Sequence, residues 1–394
     1  MSTWNSSNAV WLPGVWDMPE VLTKSLDFMR DHNIEYIFPI TKTLTKEGGF
    51  AINSNFLIYL HQFMGTIKEY EESPRSCGKK FKVIPVVDAC FNKENTDEYL
   101  DLSNPEVHAS AVTSIRRFVV ADTENSFVTS MPRPFDGVQF SVKNEDDVYD
   151  FEILKKFMKE IKSATGKITA LAVPKFGGSW ASSSGFYYAA LYVDILIPMC
   201  FNSSSQTAEE YQTFMKDQVH TILRAVSGKY ARNHGRPGNG VKVLFGFPCF
   251  PDSGEDTKVH NSVAENIAAA AQGAIDGVKK LVEENDDSLE FAAGASLYMF
   301  SDGEGKDGYS TKADMDDFGK YWAFEKHDVP VDKPKGDDPK DGTPDNGSNT
   351  PLIKVVVAAI LMPQSCTVVH SEIGESGTPE NTRQGLPIGQ FSTL

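Results

Sequence analysis

The residues whose types and spacing could do chemistry lie in one short stretch, residues 135–143. Its alternating pattern predicts a β-strand with Gln139, Ser141 and Lys143 on one face. That face presents an amide, a hydroxyl and an ammonium, and none of these is a carboxylic acid. A lysine donates a proton efficiently only when its pKa falls by several units. This face of the strand therefore lacks a ready proton donor.

This stretch resembles the fourth strand of the family-eighteen glycoside hydrolases, the chitinases and their relatives. That strand carries Asp-Gly-x-Asp-x-Asp-x-Glu, whose last residue is the general acid. Asp136 and Gly137 match the first two positions, whereas Gln139, Ser141 and Lys143 stand where the family has Asp, Asp and Glu. The mechanism needs an acid to protonate the glycosidic oxygen and an Asp to orient the substrate's acetamido group. The resemblance thus implies a barrel with the motif frame and no catalytic residue of the motif.

Two alternatives remain open around this motif. Asp136 can be a turn residue bonded to the backbone, with Gly137 as a tight strand entry. Other carboxylates can supply a displaced acid, and an atypical hydrolase would result. The candidates are Asp88, Glu145, Asp146, Asp147, Asp302 and Glu304. Residues 145–147 are more simply explained as acids that complement the dipole of the next helix.

Later strand ends extend the resemblance. The run Met199-Cys200-Phe201-Asn202 matches the family's Met-x-Tyr-Asp, with Phe in place of Tyr and Asn in place of Asp. Each exchange keeps the side-chain size and removes a hydroxyl or a charge. Gly246-Phe247-Pro248 is similar to the family's Gly-x-Pro strand, and Tyr298 or Phe300 stands where the family has a Trp platform.

Aromatic residues at strand ends are the positive indication of a ligand, because sugar rings stack on aromatic faces. These residues are Trp11, Trp16, Trp180, Phe201, Phe250 and Tyr298. Packing in the barrel core is the alternative for each of them. Trp16 and Trp180 precede polar or small residues, so we expect them to face outward. The predicted ligand-binding residues are Trp16, Trp180, Met199, Phe201, Asn202 and Tyr298.

The surrounding pattern predicts the elements that position these residues. Short β-like runs alternate with longer helical periodicities through residues 1–327, which predicts an α/β fold, a (β/α)₈ TIM barrel. A doubly wound open sheet is the runner-up, but no Gly-rich phosphate turn follows the first strand. The predicted strands are 9–15, 34–40, 81–87, 135–143, 168–173, 193–199, 241–246 and 291–299.

The helical periodicity predicts a helix over 19–31, with Val21, Leu22, Leu26 and Met29 on one face. The patterns of residues 207–210 and 262–265 predict helix caps before the helices that follow the sixth and seventh strands.

Composition changes abruptly after the barrel. Residues 328–351 form an acidic linker rich in Pro and Gly, and residues 352–394 form a short apolar run with a polar tail that we expect to be disordered. The apolar run 352–362 is too short to span a bilayer, which takes about 20 residues. A membrane anchor cut short is the alternative to a disordered end. The first residues show no signal-peptide pattern, and the compartment stays open.

Charge and cysteine content limit the classes of partner. The net charge of −16 argues against nucleic acid, because phosphate binding needs a basic face. None of the five cysteines has metal-ligand spacing, and the histidines show no zinc spacing, so we predict neither a metal nor a cofactor. Cys200 and Cys249 follow adjacent predicted strands and are expected to be buried free thiols, with a disulfide bridge as the alternative.

Together these patterns favour a non-catalytic, chitinase-like barrel. We expect it to bind a glycan of the N-acetylglucosamine type, or a protein partner, at the cleft formed by the carboxyl ends of the strands. A glycoside hydrolase with a displaced acid and a structural or assembly protein without a ligand are the alternatives.

Overall fold

The computed structural model of the protein describes residues 4, 6–12, 19–91, 99–121, 127–142, 150–181, 183–229, 240–249, 260–298 and 312–323. The strands are β1 Asn8–Leu12, β2 Ile34–Thr43, β3 Lys82–Val83, β4 Val86–Asp88, β5 Gly137–Ser141, β6 Ile168–Pro174, β7 Ile195–Met199, β8 Lys242–Pro248 and β9 Ala292–Tyr298. The helices are α1 Pro19–Asp31, α2 Ser54–Glu72, α3 Pro105–Val119, α4 Phe151–Thr165, α5 Ser183–Ala190, α6 Ala208–Val226, α7 Ile267–Glu283 and α8 Lys312–Phe318. The predicted linker and tail, 328–394, lie outside the described residues.

The strands form one parallel sheet that closes on itself. Its order is β1-β9-β8-β7-β6-β5-β4-β2, and β1 also pairs with β2, which joins the two ends. Both β3 and β4 pair with β2, so they are two halves of one barrel strand, separated at Ile84 and Pro85. Eight barrel strands, each followed by a helix, form the predicted TIM barrel. The closed sheet excludes the open doubly wound alternative.

Side chains alternate between two cores along each strand. On β5, Val138 and Phe140 belong to the core between the sheet and the helices. A smaller core fills the barrel interior, where Trp11, Phe38 and Ile197 pack together with apolar side chains from other strands. Because successive strand residues point to opposite faces, the neighbours of Val138 and Phe140 point into the barrel.

Helix periodicity explains why the outer shell forms. In α1, Leu22, Leu26 and Met29 are buried at helical spacing, and the observed bounds equal the predicted ones. At the start of α6 the Thr207 side chain accepts a hydrogen bond from Glu210 N, which confirms the predicted cap.

The predicted start of α7 is wrong. The pattern of residues 262–265 predicted a capping box, but the helix begins at Ile267 and its N-cap is Asn266. Asn266 Oδ1 accepts from Ala269 N at 2.9 Å, because an Asn at this position satisfies a free amide of the first turn. Glu265 is therefore not used by the helix.

Charged side chains close the amino-terminal end of the barrel. Lys242 Nζ donates to the Tyr36 hydroxyl and to Ser7 Oγ, at 3.0 Å each, and Lys82 Nζ lies 2.7 Å from Glu35 Oε1. Burial by itself raises the pKa of the Glu35 carboxyl. Hydrogen bonds from Lys82 and Ser7 and the charge of Lys242 outweigh that burial and lower the pKa to about 2. The network is structural, since it lies opposite the end where barrel sites form.

Candidate functional site

The Asp-Gly pair of the motif lies at the amino-terminal end of β5 and is structural. Asp136 Oδ2 accepts hydrogen bonds from Val83 N and from Arg133 Nη2, at 2.8 Å each. A Cβ atom on Gly137 would lie 2.3 Å from the carbonyl oxygen of Ile168, so no other residue fits there without a shift. Asp136 is thus a turn residue bonded to backbone, as the structural alternative predicts.

The next motif positions lie deeper along the same strand and point into the barrel. Gln139 and Ser141 are fully buried, and they alternate with the outward-facing Val138 and Phe140. Neither the Gln139 amide atoms nor the Ser141 hydroxyl has a hydrogen-bond partner among the described residues. Buried polar groups are nearly always bonded, and leaving one unbonded costs about 1–3 kcal/mol. These two side chains therefore offer unused hydrogen-bonding groups inside the barrel.

A carboxylate lies beside them. Asp88 is the last residue of β4, and it pairs in register with Ser141 of β5. It alternates with Val87 of the outer core, so it points into the barrel, where it is 9% exposed. Asp88, Gln139 and Ser141 form what we call the polar wall of the barrel mouth.

Aromatic side chains from other strands form the opposite wall. The Trp11 and Tyr298 ring centroids lie 5.1 Å apart, and the ring of Tyr298 stacks on Phe201 at 5.0 Å. Trp11 Nε1 donates to Ser296 Oγ at 2.9 Å, which fixes the indole. Trp11 and Phe201 are buried, and Tyr298 is half-buried. Trp11, Phe201 and Tyr298 form the aromatic wall.

Met199 and Asn202 flank the aromatic wall. Met199 ends β7 and packs half-buried against the barrel interior. Asn202 has a φ of 55°, and its buried Oδ1 lacks a hydrogen-bond partner among the described residues. Four of the predicted ligand-binding residues, Met199, Phe201, Asn202 and Tyr298, thus lie at the carboxyl ends of β7 and β9 or just beyond them.

The expectation that Trp180 faces outward is wrong. Its indole is fully buried outside the barrel, at 5.0 Å from the ring of Phe151 and 5.4 Å from that of Phe186. The 3₁₀ turn Gly178–Trp180 directs the indole towards α4 and α5. Packing there buries the large apolar surface of the ring. No face of Trp180 is open for a sugar ring.

Some of the predicted site lies outside the described residues: Trp16, Lys143, the loop acids Glu145, Asp146 and Asp147, and Phe250, Phe300, Asp302 and Glu304. The segments 13–18, 143–149, 250–259 and 299–311, which follow β1, β5, β8 and β9 in the chain, also lie outside the described residues. The described part of the mouth consists of strand ends and of the segments after β2, β6 and β7.

Burial disfavours the thiolate form of the two cysteines near the mouth. Cys200 and Cys249 are both buried and free, as expected. Burial raises the pKa of each thiol well above its ordinary value. Among the described residues, no set of three His, Cys, Asp or Glu side chains is placed to hold a metal ion. In the same residues, none of the helices has the length and apolar character needed to cross a membrane.

A surface groove of about 720 Å³ lies along α2, away from the mouth, and its lining includes Pro19, His61, Lys68, Glu69 and Pro132. It is open, and its lining includes charged side chains that water can solvate. It therefore lacks the buried, unbonded groups that distinguish the mouth.

Glu265 is the residue of this region whose role the sequence did not show. It lies just before α7 and is 2% exposed, and its carboxylate accepts hydrogen bonds from Asn202 N and Ser203 N. The pattern of residues 262–265 pointed to a helix cap instead, and no local signal distinguishes the two roles.

Comparison with known proteins gives only a fold likeness. No family model and no curated protein sequence matches the chain. Solved structures that are similar include the spore cortex-lytic enzyme SleL of Bacillus cereus, at 11% identity and a TM-score of 0.48, over 81% of this chain and 74% of that one. The group IV chitinase of Ostrinia furnacalis is similar at 14% identity and a TM-score of 0.46, over 80% and 99%.

A third similar structure is that of YKL-39 in the presence of chitooligosaccharides, at 11% identity and a TM-score of 0.47, over 80% of this chain and 99% of that one. All three TM-scores are below 0.5. We therefore base the barrel on the closed sheet itself and draw nothing about activity from these likenesses.

Proposed function

We propose that the barrel binds a neutral glycan of the N-acetylglucosamine type at its mouth and does not cleave it. The observation that carries the proposal is the pair Gln139 and Ser141, whose buried hydrogen-bonding groups are unused among the described residues. A sugar ring has polar hydroxyl and acetamido edges and an apolar face. The polar wall suits those edges, and the aromatic wall suits that face.

The lack of cleavage is inferred from the motif. Glycoside hydrolysis requires a carboxylic acid beside the scissile oxygen. The motif places Gln139 and Ser141 where the resemblance expects carboxylates, and Lys143 where it expects the general acid. Asp88 contributes a carboxylate to the polar wall, and it lies beside Ser141 on the neighbouring strand.

Binding of N-acetylchitotetraose, measured by isothermal titration calorimetry, tests the proposal. Ser141→Ala and Gln139→Leu should each weaken binding by about tenfold, because each removes a hydrogen bond from a dry site. Ser25→Ala is the matched control, since Ser25 is also buried but its hydroxyl is bonded to Val21 O in α1. Equal affinity in all variants, or no affinity in the folded wild-type protein, overturns the proposal.

A hydrolysis assay separates the catalytic alternative. We expect no turnover of aryl N-acetylglucosaminides by the wild-type protein. Turnover abolished by Asp88→Asn or by Glu145→Gln would show a displaced acid and would contradict the non-catalytic proposal. Self-association of the full chain without any glycan affinity would instead favour the structural role.

A further inference from the structure

The segment that follows β7 has an unusual backbone. Asn202 has a φ of 55° and Ser204 a φ of 62°, so two side-chain-bearing residues adopt the left-handed region within one short loop. Asn tolerates this region, but Ser adopts it less readily. A loop with this conformation keeps it only when neighbouring contacts hold it.

One buried carboxylate supplies three of those contacts, and the Ser203 hydroxyl makes two more, with Ser205 Oγ and Ser205 N. Glu265 Oε2 accepts from Asn202 N at 2.7 Å, and Oε1 accepts from Ser203 N at 2.6 Å and from Ser203 Oγ at 2.8 Å. His260 Nδ1 lies 2.9 Å from Oε2. Hydrogen bonds to a carboxylate are stronger than neutral ones, particularly inside a protein. Glu265 therefore fixes two consecutive amides, those of Asn202 and Ser203, directly before Ser204.

A second anchor lies on the other side of Phe201. The buried Tyr211 hydroxyl of α6 donates to the carbonyl oxygen of Cys200 at 2.6 Å. The backbone is thus held directly before Phe201, at Cys200, and directly after it, at Asn202. The Phe201 ring, which stacks on Tyr298, has its orientation set by this pair of anchors.

We propose that Glu265 is the positioning residue of the mouth: its carboxylate holds the segment after β7 so that Phe201 and Asn202 face the ligand. The inference rests on the proposed glycan binding. Burying a carboxylate is costly unless it is fully bonded, and α7 does not use this one, because Asn266 caps the helix. Glu265 touches no ligand in this scheme and acts through the loop.

Glu265→Gln tests the proposal, because it keeps one acceptor oxygen and places an NH₂ group against a backbone N–H. Hydrogen exchange of the Asn202 and Ser203 amides, followed by NMR, should accelerate about tenfold. Affinity for N-acetylchitotetraose should fall about tenfold as the Phe201 platform loosens.

Glu71→Gln is the matched control. Glu71 is likewise a little-exposed carboxylate, and it accepts from Phe81 N at 2.8 Å and Arg133 Nη1 at 2.9 Å, in the network of Asp136 at the opposite end of the barrel. The Glu71→Gln variant should have a lower free energy of unfolding and an unchanged affinity for N-acetylchitotetraose. An equal loss of affinity in both variants, or unchanged affinity in Glu265→Gln despite faster exchange, overturns the proposal.

Two further measurements cover the other outcomes. Ser203→Ala removes one of the contacts to Oε1, together with the bonds of the Ser203 hydroxyl to Ser205 Oγ and Ser205 N. If Glu265→Gln does not fold, this milder variant should still speed exchange at Asn202 and weaken binding about threefold. If the wild-type protein binds no N-acetylchitotetraose, the proposed function fails by itself. The positioning role then stands or falls on the exchange rates and on the NMR shifts of the Phe201 ring in Glu265→Gln.

Discussion

Phe201 and Tyr298 stack with their ring planes inclined by 21° and their centroids 5.0 Å apart, which joins the segment after β7 to the end of β9. The ring of Trp11 packs edge-on against Tyr298, with the two centroids 5.1 Å apart. Tyr298 is thus the central ring of the aromatic wall.

Tyr298→Ala should weaken binding of N-acetylchitotetraose by about tenfold, because stacking area is lost and the rings on both sides lose their contact. Tyr298→Phe keeps the ring and should bind within about threefold of the wild-type protein. Calorimetry measures the affinities, and intrinsic fluorescence monitors the Trp11 environment. Unchanged affinity in Tyr298→Ala would mean that the ligand does not contact this wall.

Gln139→Leu should raise the free energy of unfolding by about 1 kcal/mol, because an unbonded buried amide is replaced by an apolar side chain of similar size. Gln218→Leu is the contrast. Its amide is also buried, but it accepts from Phe176 N at 2.7 Å and donates to Phe176 O at 3.0 Å. The free energy of unfolding of Gln218→Leu should fall by about 1–3 kcal/mol, since the backbone N–H and C=O of Phe176 are left unbonded. Urea unfolding measures both, and a loss of stability in Gln139→Leu would contradict the unbonded state of this amide.

Glu35 should make the stability depend on acid pH. Its folded-state pKa of about 2 lies below the ordinary value of 4.5, so the unfolded chain binds the proton more readily. The contribution is therefore fully present above about pH 4.5 and is lost as the pH falls through about 2. Its upper magnitude is about 3 kcal/mol.

Urea unfolding of the wild-type protein and of Glu35→Gln between pH 7 and pH 2.5 measures this contribution. The difference in stability between the two should shrink as the pH falls. Adding Lys82→Met to each completes a double-mutant cycle, in which the coupling should also be larger at pH 7. A difference that is constant with pH would exclude Glu35 as the source.

Gly137→Ala should destabilise the fold by about 3 kcal/mol, because its Cβ would collide with the backbone of β6. Gly65→Ala should have the opposite effect. Gly65 lies inside α2, where an added Cβ meets Pro132 at an ordinary 3.7 Å. The free energy of unfolding of Gly65→Ala should rise by about 0.5–1 kcal/mol. Thermal unfolding compares the two, and similar shifts of the same sign would contradict the crowding at Gly137.

Periodicity predicted the barrel well, because each β/α unit carries its own local signal. The spacing of Leu22, Leu26 and Met29 placed α1 correctly, and the short apolar runs placed the eight barrel strands. The break at Ile84 and Pro85 was not predicted, since a single apolar run covers both halves of that strand.

The site was harder to predict, because barrel strands are buried on both faces. Trp11 lies within an apolar strand and Trp180 follows one, yet Trp11 lines the barrel interior and Trp180 packs under the helices. Only the strand register and the path of the following turn separate them. Glu265 shows the same limit: its partners Asn202 and Ser203 are distant in the sequence, and a carboxylate before a helix has a simpler local explanation.

The two ends of β5 differ in what their side chains contact. Asp136 and Gly137 tie its base to the neighbouring strands, whereas Gln139 and Ser141 make no side-chain hydrogen bond within the described residues. Substitutions at positions 139 and 141 therefore leave the hydrogen bonds of Asp136 and the close packing of Gly137 untouched. The upper half of this strand can be redesigned without disturbing the half that anchors it in the sheet.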